Sequence, residues 1–213
     1  VTGVQTCALP IFSIVNDSQK ANVIKNSSVY EDIGLIYHYD LSDYSLAEKY
    51  YLKQIDLAQY PTTFINLFDL YMIKGQTENA LDVLNKGAGL FVEDSRFLLS
   101  KGEYYFNYEN DALKAEEVYL EAFENNPFDI KVLSSVAAFY YYINKTNESL
   151  SYYYRLLTEL EGLEEPDEFE LLRAYAQTAY VVYETDGLSK ALEFFDKAIS
   201  INSQVGYEYR ASF

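Results

Sequence analysis

Residues 95–129 read SRFLLSKGEYYFNYENDALKAEEVYLEAFENNPFD. Leu98, Gly102 and Tyr105 stand four and three residues apart, and after a short turn Ala115, Tyr119 and Ala122 do the same. Steps of three and four place each trio on one helical face. Pro127 then closes the segment, because proline cannot continue a helix interior. The same skeleton returns about every 34 residues along the chain. A period of that length belongs to helix-turn-helix units that cannot bury a face alone and stack on their neighbours, forming a curved array with a groove.

Four further copies follow the pattern. The first has Tyr30, Ile33, Gly34, Tyr37, Ala47, Tyr51 and Pro61; the second has Phe64, Leu67, Phe68, Tyr71, Ala80, Leu84 and Gly87. The fourth has Leu133, Val136, Ala137, Tyr140, Ser149, Tyr153 and Leu156, and the fifth has Tyr175, Thr178, Ala179, Val182, Ala191, Phe195 and Ala198. On these residues the chain resembles the tetratricopeptide (TPR) family over residues 27–205. The resemblance implies an all-α fold, an α-solenoid of about five repeats at 27–60, 61–94, 95–129, 130–163 and 172–205. Phe68 stands where that family has a small residue and is expected to push two helices slightly apart. Lys101 replaces a core apolar residue and is expected to bury its stem beneath a solvated head.

The ends read differently. Val1–Ile11 matches the conceptual translation of a sequencing-adapter oligonucleotide, and no Met begins the chain, so residues 1–11 are expected to be an adapter-derived artefact of a gene fragment. Residues 12–26 read as the end of a second helix from a preceding repeat, and 206–213 as the start of a truncated one. Within the array, Asp43 or Ser45 is expected to cap the second helix of repeat one after a long turn at 39–45. Thr77 is expected to do so in repeat two, and Asp167 to open a helix running through Tyr183.

Composition excludes several functions. Asp and Glu number 33 against 16 Lys and Arg, a net charge of -17, which opposes a phosphate backbone and argues against nucleic-acid binding. No apolar run approaches the roughly 20 residues that span a bilayer. Cys7 is the one cysteine and lies in the adapter-like segment, while His38 is the one histidine and has no partner at metal-ligand spacing. Gly87 and Gly89 form a G-x-G that ends a helix instead of following a strand, so it is no phosphate cradle. No catalytic constellation, cofactor site or metal site is expected.

Recognition remains. In the family resembled, the first helix of each repeat lines the groove. That mapping gives Glu31, His38 and Tyr39 in repeat one, Asp69 and Met72 in repeat two, and Glu103, Phe106 and Asn107 in repeat three. Repeat four gives Tyr141 and Tyr142; repeat five gives Arg173, Tyr180, Tyr183 and Glu184. Tyrosine offers large contact area at low entropic cost with a hydrogen-bonding tip. The resemblance therefore implies a non-catalytic scaffold holding an extended peptide or partner helix. A second expectation is an accessory array of a larger enzyme or sensor, and a third is weak self-association through exposed end faces. A clamp for acidic chaperone tails is rejected, because Glu31 with Leu35, Ile65 with Asp69, and Leu99 with Glu103 stand where its cations and amides belong. Arg96, Lys131 and Arg173 fall at equivalent points of three repeats, either as a track for a carboxylate-bearing partner or paired with neighbouring acids.

Overall fold

The computed structural model describes residues 28–202; residues 1–27 and 203–213, with the adapter-like segment and the two expected partial repeats, lie outside it. The chain divides into two compact units, Val1–Phe97 and Leu98–Phe213. In the first, α1 runs Val29–Leu35 and continues as a π turn over Ile36–Asp40, followed by α2 (Tyr44–Leu57), α3 (Pro61–Ile73) and α4 (Thr77–Leu90). Helix α5 (Ser95–Asn107) crosses the boundary. The second unit continues with α6 (Ala112–Asn125), α7 (Ile130–Tyr142), α8 (Thr146–Glu161), α9 (Glu168–Asp186) and α10 (Leu188–Ile201). Within each unit consecutive helices pack on one another. Among the described residues the fold is all-α, with no strand.

The recurring small residues explain how closely the helices approach. A Cβ added at Gly34 would lie 2.5 Å from Tyr51 Cε1, and one at Gly102 would lie 2.8 Å from Tyr119 Cζ. Glycine on the first helix therefore seats the ring of the second, in both units. Where repeat two carries Phe68, the second helix carries Leu84 in place of an aromatic. Both are buried, so the larger residue has moved from one helix to the other. Ser149 replaces the usual alanine at a fully buried position, and its hydroxyl donates to the Ala137 carbonyl at 2.8 Å, which removes the penalty of burying it. Lys101 is half-buried.

The turns share one device. The backbone N–H of the N-cap residue before each second helix bonds back to a carbonyl of the preceding helix. The pairs are Asp43 to Tyr37, Gln76 to Tyr71, Asp111 to Tyr105, Lys145 to Tyr140 and Gly187 to Val182. These acceptors occupy the same repeat position, so the register between paired helices is fixed by the backbone as well as by packing. Ser42, Gly75, Asn110 and Asn144 take positive φ just before four of those caps. Spacing varies nonetheless. Thirteen positions separate Gly34 from Ala47 and Gly102 from Ala115, against twelve from Phe68 to Ala80 and from Ala137 to Ser149. In repeat one the helix absorbs the extra residue by widening into the π turn, and so extends into the long turn expected at 39–45.

Capping follows the sequence in part. Asp43 accepts from the Leu46 N–H, and Asp167 from those of Phe169 and Glu170. Thr77 is not a cap. It is the first residue of α4, Gln76 holds the cap position, and its side chain accepts from no backbone N–H of the helix. Gly87 and Gly89 lie inside the last turn of α4 instead of ending it, and Gly87 faces Phe97.

Candidate peptide-binding site

Helices α7 and α9 each carry a stripe at helical spacing, Ala138, Tyr141 and Tyr142 on one and Gln177, Tyr180, Val181 and Glu184 on the other. Six of these seven, all but Glu184, line a pocket of about 290 Å³, with Tyr153 of α8 as its buried floor. The Tyr141 hydroxyl donates to Glu184 Oε1 at 3.0 Å, bridging the two helices at the rim. Burial first, and then that carboxylate, push the Tyr141 phenol above its ordinary pKa, so it stays protonated and keeps donating. Tyr142 is 68% exposed, with its ring tilted against Tyr141 at 6.1 Å. Tyr180 is braced edge-on by Phe195 at 5.5 Å.

One polar atom stands out. Gln177 Oε1 is shielded from solvent and accepts no hydrogen bond from the protein. A buried acceptor left unpaired by the protein loses hydration without replacement, so a donor that reaches it forms a hydrogen bond at little desolvation cost. Arg173, one turn earlier on α9, is ion-paired with Glu170.

On the other side of Tyr142 lies Phe106, 6.4 Å away ring to ring and packed edge-on against Phe139 at 5.4 Å. Phe106 and Asn107, with Asn110 and Ala112, line a shallower hollow of about 250 Å³. Glu103, one turn before Asn107 on α5, is raised in pKa by desolvation, although its exposure lets water offset much of that effect. Tyr183 is exposed but outside the pocket lining. In this unit the structure thus brings together Tyr141, Tyr142, Tyr180 and Glu184, with Phe106 and Asn107 adjoining.

The first unit departs from expectation at two residues. Glu31 is 5% and His38 2% exposed, so neither presents a groove surface. Thr63 Oγ1 donates to Glu31 at 2.7 Å and Asn66 Nδ2 at 3.1 Å, which holds the carboxylate inside between α1 and α3. His38 lies in the π turn, whose wider winding takes it out of phase with a 3.6-residue register. Its Nδ1 meets the Tyr51 hydroxyl at 3.2 Å, its ring stacks on Tyr39 at 4.1 Å, and its Nε2 has no partner. Burial lowers its pKa. Tyr39 remains exposed, while Asp69 and Met72 are half-buried. Arg96 is paired with Asp94.

Sequence reasoning passed over Gln177 and Ala138 and counted Tyr153 only as core. The signal for Gln177 was present, since it sits four residues after Arg173 and three before Tyr180. Among the described residues no group of three or more His, Cys, Asp or Glu is placed to hold a metal, and no helix is long and apolar enough to cross a membrane.

No protein-family model and no curated protein matches the sequence. Solved structures do match. BtubC (BKLC) from P. vanneervenii aligns with a TM-score of 0.66 at 16% identity, over 88% of this chain and 89% of its own. YrrB, described as a TPR protein with an unusual peptide-binding site, aligns at 0.54 and 17% identity over 88% and 93%. The fold is tetratricopeptide-like. A chain of the APC/C hetero-tetramer Cut9–Hcn1 aligns at 0.62 and 15% identity, over 88% of this chain but only 37% of the other, so the present chain spans about a third of that neighbour.

Proposed function

We propose that the chain is a non-catalytic protein-binding module that holds an extended peptide or a partner helix. In the second unit its contact surface is the tyrosine-lined pocket between α7 and α9, with Phe106 and Asn107 as an adjoining stretch. The observation that carries this reading is the convergence of Tyr141, Tyr142 and Tyr180 on one pocket beside an unpaired acceptor, Gln177 Oε1. Aromatic anchors around a few aimed polar groups are what peptide recognition uses. The YrrB likeness adds a precedent for peptide binding on this fold, though at an identity that speaks only for the fold.

The test is selection of a random peptide library on the 213-residue chain, followed by binding of the winning peptide to Tyr142→Ala. Tyr142 is mostly exposed, so the expected result is at least about a tenfold loss of affinity with an unchanged melting temperature. Unchanged affinity in Tyr142→Ala and Tyr180→Phe alike would remove the pocket from the binding surface.

A further inference from the structure

The pocket between α7 and α9 is chemically one-sided, and this limits what it can hold. Gln177 lines its interior wall with Oε1 shielded and without a partner, so a donor reaches that oxygen once the amide turns toward the cavity. Its rim offers the Glu184 carboxylate, exposed and engaged by a single hydrogen bond from Tyr141. Its sides are the rings of Tyr141, Tyr142 and Tyr180, whose faces are electron-rich. The nearest cation on the same stripe, Arg173, already lies against Glu170. The one shielded atom of this lining without a partner is an acceptor, and the charge at its rim is negative.

We infer that the pocket receives an arginine side chain of the partner. This rests on the peptide-binding reading above and names the side chain that reading leaves open. A carboxylate-bearing residue would face Glu184 and leave Gln177 Oε1 unpaired. An aliphatic residue would fill the volume but strand the same oxygen. Lysine would bring a compact, strongly hydrated charge whose donors cluster at one point. Guanidinium is planar, so it lies flat on tyrosine faces, and its five N–H groups in a fixed fork can serve an amide oxygen and a carboxylate together. A volume of about 290 Å³ admits a long side chain with room for its plane to settle between rings. The net charge of -17 adds a long-range bias that favours the approach of a basic segment.

The experiment uses four blocked pentapeptides, acetyl-Ser-Ala-X-Ala-Ser-amide, with X as Arg, Lys, citrulline or Glu. Each is titrated into the full chain while the tyrosine ring signals and the Gln177 side-chain amide are followed by NMR. The arginine peptide should shift the signals of Tyr141, Tyr142, Tyr180 and Gln177 and bind about tenfold or more tighter than the lysine or citrulline peptide. Citrulline keeps the shape and most of the donors but not the charge. Glu184→Gln, at an exposed position, should reduce the preference for arginine over citrulline several-fold, and Gln177→Leu should weaken both peptides. Since Gln177→Leu alters a buried surface, Glu184→Gln provides the independent reading should that variant fail to fold. Equal binding of the arginine and citrulline peptides, or an arginine preference that survives Glu184→Gln, overturns the inference. If all four peptides shift the pocket alike, or if only a library-selected peptide lacking arginine does so, the groove reading stands and arginine falls. If neither the four peptides nor a selected one shifts it, both fall.

Discussion

Gly87 and Gly89 sit two residues apart in the last turns of α4, yet their surroundings differ completely. A Cβ at Gly87 would meet Phe97 Cε1 at 2.1 Å, and Phe97 is only 1% exposed, whereas nothing lies within 4 Å of a Cβ at Gly89. Gly87→Ala is therefore expected to destabilise the first unit by about 1–3 kcal/mol, overpacking outweighing the gain in helix propensity. Gly89→Ala is expected to stabilise it by about 0.5–1 kcal/mol, since only the backbone-entropy term remains. Thermal melting of the two variants beside the parent checks both signs. The glycine-ring pairs of repeats one and three were legible at this scale, because Gly34 with Tyr51 and Gly102 with Tyr119 recur at fixed spacing. The isolation of Gln177 Oε1 was not. Whether an amide oxygen is paired depends on what the next helix presents, and no intrahelical spacing encodes that.

At the scale of elements, side-chain caps decide how firmly each helix begins. Asp43, Asp111, Asp129 and Asp167 all accept backbone N–H bonds at helix starts, but Gln76 before α4 does not. Gln76→Asp is expected to stabilise the chain by about 0.5–1 kcal/mol, by adding a side-chain acceptor and a negative charge at the positive end of the helix. Urea titration with an unchanged slope would show this as a raised midpoint. A no less local arrangement ties successive repeats together. Glu48 of α2 accepts from Tyr71 at 3.1 Å and pairs with Lys74 just after α3, while Glu116 of α6 accepts from Tyr140 at 3.0 Å and pairs with Lys145 at 2.8 Å in the turn after α7. The Lys145 bond first, helped by Tyr140, holds Glu116 below the usual carboxylate range, and burial with the Glu48 contact pushes Tyr71 up to about 12. In each unit a glutamate directly after the repeat alanine reaches the tyrosine near the end of the next first helix and a lysine in the turn that follows it. Such a pattern could have been read from the repeats. The π turn at Ile36–Asp40 could not, because one inserted residue can lengthen either the loop or the helix, and repeat three, with the same spacing, lengthens its loop instead.

Across the whole molecule the one histidine, His38, lies in the first unit. Because burial lowers its folded pKa below 6.5, the unfolded chain takes up the proton first as pH falls. Its contribution to stability is complete above about pH 6.5, declines as pH drops below that value, and levels off beneath the folded pKa. Hydrogen exchange at pH 7.5 and 5.5, corrected for intrinsic rates, should therefore show protection in α1–α3 falling more than protection in α7–α10, and His38→Phe should abolish the difference. Equal losses in both units would mean that the carboxylates govern this range instead of His38. The sequence by itself determined the helical class and the repeat, because these follow from periodicities of 3.6 and about 34 residues that a chain carries locally. Only the tertiary structure decided that Glu31 and His38 are buried, that Thr63 and Asn66 hold one and Tyr51 meets the other, and that Tyr141, Tyr142, Tyr180 and Gln177 close on one pocket. Those outcomes depend on side chains from different helices filling shared space, and distance along the chain does not determine distance across a packed interface.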